Sequence, residues 1–235
     1  VNDDRRERLI KLASAAVFLT IVAVAVLIVV SQSGSSGGDS ENIVSVAEVE
    51  RELQGIPQDE MVLGQPDAKV RLLEFADLQC PFCRDYAEEQ LPQVIENQVR
   101  SGEAKLDYRT FTIIDANSIP AAEAAIAAGK QGRGWNYVEI FYRNQGEEGT
   151  DYDNDEFLTA IARAAKVPDI ARWNSDRRSA SVKAEVEAAT AEAERLGFEG
   201  TPSFAVQGPG AQGLEALGSL ESAGAIESAI SSAGE

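Results

Sequence analysis

The 235-residue chain holds 39 acidic against 21 basic residues, a formal charge of −18, with two cysteines and no histidine. Beyond residue 30 there are 17 basic and 36 acidic groups, a net −19, and so acidic a surface argues against nucleic-acid or anionic-lipid binding. The 44% hydrophobic and 26% charged content is ordinary for a globular protein, and the length suits one domain with an insertion or two small ones.

The first element is an apolar run, Leu12 to Val30, interrupted only by Ser14 and Thr20. Its nineteen residues are about enough, at helical rise, to cross a hydrocarbon core. Arg5, Arg6, Arg8 and Lys11 precede it, and no Lys or Arg follows before Arg51. That asymmetry puts residues 1–11 in the cytoplasm and everything beyond Val30 outside. The run is long for a signal-peptide core and no Ala-x-Ala precedes Ser31, although Ser33 and Ser35 are small enough to permit cleavage. The expectation is a single-pass anchor over 12–30, with the rest of the chain in an oxidising compartment where thiol pairs form disulfides.

Residues 31–41 are Ser- and Gly-rich and read as a flexible tether. Within a leader over 42–61, Val46, Val49 and Leu53 recur at helical spacing among charged residues, and the helix ends near Gly55-Ile56-Pro57. This leader is expected to pack on the domain rather than to dimerise. After a turn at Gly64-Gln65-Pro66-Asp67, Val70 to Ala76 reads as a buried strand. A helix begins at Cys80 and carries Tyr86, Leu91, Val94 and Ile95, with Pro92 as a kink or restart. Lys105 to Ile113 reads as a second strand. Ile119 to Leu196 is helical in character, with breaks at Gly132-Arg133-Gly134 and from Gly146 to Asp155, and Trp135, Tyr137, Ile140 and Phe141 as core. A strand follows Thr201-Pro202 as far as Val206. Gly208-Pro209-Gly210 turns the chain, Leu214 to Leu217 pairs back, and a last helix sets Ile226 and Ile230 on one face.

The cysteines, Cys80 and Cys83, stand at a strand–helix junction. A Cys-x-x-Cys pair serves as a zinc half-site, a haem attachment site or a redox dithiol. Zinc lacks two further Cys or His ligands, and haem attachment lacks the following histidine, where Arg84 stands. A static staple gains little from so short a ring, about 2 kcal/mol. Redox chemistry remains.

Cys-Pro-Phe-Cys within F-A-D-L-Q-C-P-F-C-R, followed far along the chain by G-T-P-S-F and preceded by an export signal, resembles the DsbA-like thioredoxin-fold thiol:disulfide oxidoreductases, in particular their membrane-tethered bacterial branch. The resemblance covers roughly residues 62–230. It implies an α/β thioredoxin fold over 62–235 with a helical insertion at about 116–197, preceded by the one transmembrane helix. It implies an enzyme without cofactor that forms disulfides in exported proteins from the outer face of a bacterial cell membrane. A DsbB-like or vitamin K epoxide reductase-like membrane protein would reoxidise it.

By the same resemblance Cys80 is the nucleophilic cysteine, its thiolate favoured by a helix N-terminus, and Cys83 is the resolving one. Pro81 and Phe82 tune the pair. Pro202 matches the cis-proline beside the cysteines, and Thr201 the neighbour whose backbone pairs with an extended substrate. Glu74, six residues before Cys80, matches a buried carboxylate beneath the disulfide, where desolvation would raise its pKa and it would accept a proton from Cys83. Strand alternation sets it on the face of Val70, Leu72 and Ala76; an exposed edge carboxylate is the alternative, and Asp77 is a candidate cap of the helix. Strongly oxidising members carry a histidine between the cysteines. Phe82 supplies no charge, so thiolate stabilisation falls to the helix end and Arg84, and the disulfide is less oxidising. The alternatives are a reductase or isomerase of the same fold, or a peptide-binding or chaperone module.

Overall fold

The computed structural model describes residues 43–219 and 222–235. The segments 1–11, 12–30 and 31–41 lie outside the described residues. Among the described residues no helix is long and apolar enough to cross a membrane.

A six-stranded sheet organises the domain, built from β1 (Gln58–Asp59), β2 (Val62–Leu63), β3 (Val70–Ala76), β4 (Ala104–Thr110), β5 (Ser203–Gln207) and β6 (Glu215–Gly218). Its order is β1-β2-β4-β3-β5-β6, with β3 and β4 parallel and every other pair antiparallel. β1 lies inside the segment read as a leader, so the sheet begins before residue 62. β3 is central, and six of its seven residues are buried. A strand covered on both faces needs a near-continuous apolar run, and V-R-L-L-E-F-A supplies one except at Arg71 and Glu74. Val70, Leu72 and Ala76 face the main core with both cysteines. Leu73 and Phe75 face a second cluster with Phe111, Ala193 and Phe198.

The remaining elements are helices. α1 (Val46–Glu52) precedes the sheet, α2 (Pro81–Glu89) and α3 (Leu91–Val94) follow β3, and α9 (Ala223–Gly234) closes the chain. Pro92 is in the first turn of α3, where its missing N–H leaves no bond unmade, so it restarts the helix. A π turn at Ile95–Val99 completes this arm. Between β4 and β5 run α4 (Ser118–Gly129), α5 (Gly134–Tyr142), α6 (Asp155–Ala164), α7 (Ile170–Asp176) and α8 (Ala180–Arg195). The block has more breaks than its sequence suggested. Lys166 turns left-handed with φ 58, and Asp169 and Ser179 cap new helices by accepting from Arg172 N and Val182 N.

The second strand also ends earlier than Ile113. Thr110 is its last residue because the Asp77 carboxylate accepts Ile113 N at 2.9 Å and Ile114 N at 3.1 Å, drawing the chain off the ladder. Asp77 therefore does not cap the cysteine helix. Its other oxygen accepts Gln79 N at 2.9 Å, inside the turn itself.

α1 packs on α5, with Val49 and Leu53 buried, Arg143 bonded to Glu52 at 2.6 Å and Arg133 to Glu50. α5 in turn starts at Gly134, where a Cβ would meet Glu60 O and Met61 Sδ at 2.7 Å each. Neither the backbone oxygen nor the packed thioether has room to withdraw. Gly134→Ala is expected to lower stability by about 1–3 kcal/mol, read as a fall in the urea midpoint at unchanged slope.

Candidate active site

β3 delivers the chain from the sheet into a turn, Asp77-Leu78-Gln79, whose carbonyl at Asp77 accepts Cys80 N at 3.0 Å. Cys80 is then the N-cap of α2, extended at φ −77 and ψ 120, with Pro81 as the first helical residue. This order gives the sulfur the unpaired N–H groups and the positive end of the helix dipole. Cys83 comes one turn later, on the buried side of α2, and is wholly inaccessible. Phe82 between them points outward, 71% exposed.

The two thiols differ in charge state. Cys80 is lowered to about 6: the hydrogen bond from Cys83 is the largest cause, burial opposes it, and Thr201 and the backbone N–H groups of Cys83 and Phe82 add to it. Cys83 is pushed well above the ordinary thiol value by burial, and next by that same bond to Cys80, in which it is the donor. Arg84 takes no part. Its guanidinium bonds Asp85 at 2.8 Å, which corrects the expectation that it helps hold the thiolate.

The Thr201–Pro202 peptide bond is cis. Cys80 Sγ lies 3.3 Å from Thr201 O, to which it donates when protonated. Phe82, Tyr86, Glu89, Thr201, Pro202 and Ser219 border an open groove of about 380 Å³ beside the thiols.

Glu74 is 3% exposed and so is not an edge carboxylate. Its register neighbours are Tyr108 on β4 and Phe204 on β5, and its alternation with Leu73 and Phe75 sets it on the sheet face under α2. Burial first, and then the charge of Glu139, raise it well above the carboxylate range. Among the described residues no group of three or more His, Cys, Asp or Glu side chains is arranged to hold a metal ion.

A thioredoxin family model matches residues 57–222. The probable disulfide bond formation protein D of Bacillus cereus is 30% identical over 150 residues, which cover 62% of this chain and 69% of that protein. The chain belongs to the DsbA-like thiol:disulfide oxidoreductases of the thioredoxin family. The fold is shared with oxidised BdbD from Bacillus subtilis, at a TM-score of 0.65 and 19% identity over 75% of this chain and 95% of that one. A thioredoxin-like oxidoreductase from Silicibacter pomeroyi aligns at a TM-score of 0.60 and 28% identity, covering 72% and 89%.

In this DsbA-like chain several groups that sequence reasoning passed over hold the cysteine turn. Gln145 donates to Leu78 O at 2.7 Å and to Cys80 O at 3.1 Å, from the loop after α5. Gln79 donates to Asp153. Tyr142 donates to Asp77 O at 3.2 Å and its hydroxyl lies 3.0 Å from that of Tyr108. Of these only Gln79 belongs to a motif, the stretch around the cysteines. Glu139 did carry a signal: it is the one charge in the run Trp135 to Tyr142, apolar or aromatic apart from it and Asn136, and it is 1% exposed.

Proposed function

We propose that this oxidoreductase forms disulfides in exported proteins, working outside a bacterial cell membrane to which residues 12–30 anchor it. The observation that carries the reading is the asymmetry of the thiol pair. Cys80, at about 6, is mostly thiolate at neutral pH and hence a good leaving group, whereas Cys83 is a buried thiol.

The chemistry follows in two exchanges. A substrate thiolate attacks Cys80 Sγ of the Cys80–Cys83 disulfide, and Cys83 leaves with the electron pair and takes a proton from Glu74. A second substrate thiolate then attacks the substrate sulfur of the mixed disulfide, and Cys80 leaves as its thiolate. The substrate has lost two electrons, and the chain holds them as a thiolate and a thiol. Thr201 and the cis-Pro202 align the substrate as an extended strand along the groove, while Pro81 and Phe82 set the pair's potential. A membrane protein of the DsbB-like or vitamin K epoxide reductase-like kind removes the electrons.

The test is the reduction potential of the full chain in detergent, equilibrated with glutathione buffers and read by alkylation and mass. A less acidic thiol than that of DsbA, at about 3.5, stabilises the reduced form less. The potential is therefore expected between about −270 mV, that of thioredoxin, and about −120 mV, that of DsbA. A value at or below that of thioredoxin overturns the oxidising direction. A reductase is the second reading, and Phe82 in the place of a charged side chain is the observation in its favour.

A further inference from the structure

Trp135, Glu139 and Tyr142 stand at i, i+4 and i+7 on α5, along one face. Both flanking residues reach Tyr108 on β4: the Trp135 ring lies edge-on at 6.3 Å and the Tyr142 hydroxyl is 3.0 Å from its own. Glu139, between them, therefore faces the same side of the sheet. That side carries Glu74, the register neighbour of Tyr108. α2 packs on α5 and brings Tyr86 into the same space, its ring 5.1 Å from that of Phe204, the other register neighbour of Glu74. Two carboxyls and two phenols thus share the interior beneath the cysteine helix.

These groups are not fully satisfied. Glu139 Oε1 and the Tyr86 hydroxyl are buried without a hydrogen-bond partner. Glu139 Oε2 accepts Arg143 Nη1 at 2.5 Å, and Arg143 Nη2 reaches Glu52 Oε2 at 2.6 Å. Glu52 and Arg143 line an open cleft of about 530 Å³ against α1 and α3. A line of ionisable groups, Glu74, Glu139, Arg143 and Glu52, runs from the cysteine side of the sheet to water. The cleft is separate from the groove at Thr201 and Pro202, as no residue is common to the two linings.

We propose that Glu139 is a positioning residue that carries the Cys83 proton from Glu74 to the Glu52–Arg143 cleft. This rests on the reading of Glu74 as the proton acceptor of Cys83. When the active-site disulfide closes, Cys83 gives its proton to the Glu74 carboxylate. Its sulfur then attacks Cys80 Sγ of a mixed disulfide, and the departing thiolate takes the electron pair. Glu74 is left protonated and Glu139 accepts that proton; Arg143, bonded to both Glu139 and Glu52, gives one N–H proton to Glu52 as it takes the proton of Glu139, and Glu52 releases it to water at the cleft. The charged groups around Glu139 suit the task. Arg143 on its own helix favours its carboxylate, while burial, Glu52 on α1 and Glu88 on α2 oppose it, and together they leave it at about 7. Its charge also raises Glu74 on β3, so the titrations of the two carboxyls are coupled.

The experiment mixes the full-length dithiol chain with glutathione disulfide. It follows, by acid quench and mass, how fast the Cys80–glutathione adduct resolves between about pH 5 and pH 9. Glu139→Gln is expected to slow resolution about tenfold and to remove the inflection near pH 7 in its profile. Formation of the adduct by Cys80 is unchanged, and Glu139→Asp restores the profile. A Glu139→Gln chain that resolves at the wild-type rate with the wild-type profile overturns the relay. If Glu74→Gln also resolves normally, the role of Glu74 falls with it; if Glu74→Gln is slow and Glu139→Gln is not, only the relay falls. A second measurement needs no variant at position 139. The infrared difference spectrum between disulfide and dithiol forms of the unmodified chain is expected to show two carboxyl groups changing state, one of them lost in Glu74→Gln. A single changing carboxyl overturns the proposal.

Discussion

Cys83→Ala is expected to remain fixed to a small disulfide through Cys80, and Cys80→Ala to react with it not at all. In the unmodified chain the second thiol is held one helical turn from the adduct, and such intramolecular attack enjoys a large effective molarity. Its removal leaves only thiols from solution, so the glutathione adduct is expected to persist at least about 10³-fold longer, as seen by mass after alkylation. The same substitution weakens the nucleophile. The bond from Cys83 is the largest cause of the low Cys80 value of about 6, and without it that value rises toward the ordinary thiol range near 8.5. The thiolate fraction at pH 7 then falls well below the roughly nine-tenths of the unmodified chain, a change that thiolate ultraviolet absorbance reads directly. Exchange by Cys80→Ala through Cys83 would reverse the two roles.

The residues that made this site legible were those whose local physics has one solution. Seven residues, apolar except for Arg71 and Glu74, followed by Asp77-Leu78-Gln79-Cys80-Pro81 are a buried strand, a turn and a helix whose first residue needs no donor. The face of Glu74 was legible from strand alternation, while its place beneath the cysteines came from the family resemblance. What stayed hidden depends on partners far along the chain. The carboxylate of Asp77 serves as well at a helix cap as at Ile113 and Ile114, and only the path of the chain after β4 decides between them. Gln145 is a polar residue after a helix in the sequence and a clasp on the cysteine turn in three dimensions. The breaks at Lys166 and between α7 and α8 were missed because Ala- and Glu-rich sequence has high helical propensity throughout, while Asp169 and Ser179 act as caps only once the neighbouring turns form.

Glu74→Leu is expected to make the disulfide form of the chain more stable at neutral pH and a poorer catalyst. Glu74 is buried beside Phe204 and Tyr108, and its folded value lies well above the ordinary carboxylate range because of burial and then Glu139. Between the unfolded value near 4.3 and that raised value, the folded chain binds the proton more tightly than the unfolded one. Stability therefore falls as pH rises through this window, by up to about 1.4 kcal/mol per pH unit for one such group. Glu139, raised to about 7, acts in the same direction below neutrality. The disulfide form is the one to measure, since the lowered Cys80 of the dithiol works with the opposite sign. Leucine fills similar space with no proton to lose, so the slope contributed by Glu74 disappears. The variant is expected to gain stability over the unmodified chain progressively as pH rises from about 4 to about 7, read as a Tm difference that is smallest near pH 4 and largest at neutral pH. Resolution of the Cys80 adduct slows by about 10²-fold or more, the usual contribution of a placed acid–base group. A wild-type chain whose stability rises from pH 5 to pH 7 more steeply than that of Glu74→Leu would mean that Glu74 is ionised and paired in the folded state. It would then have no proton to lend to Cys83.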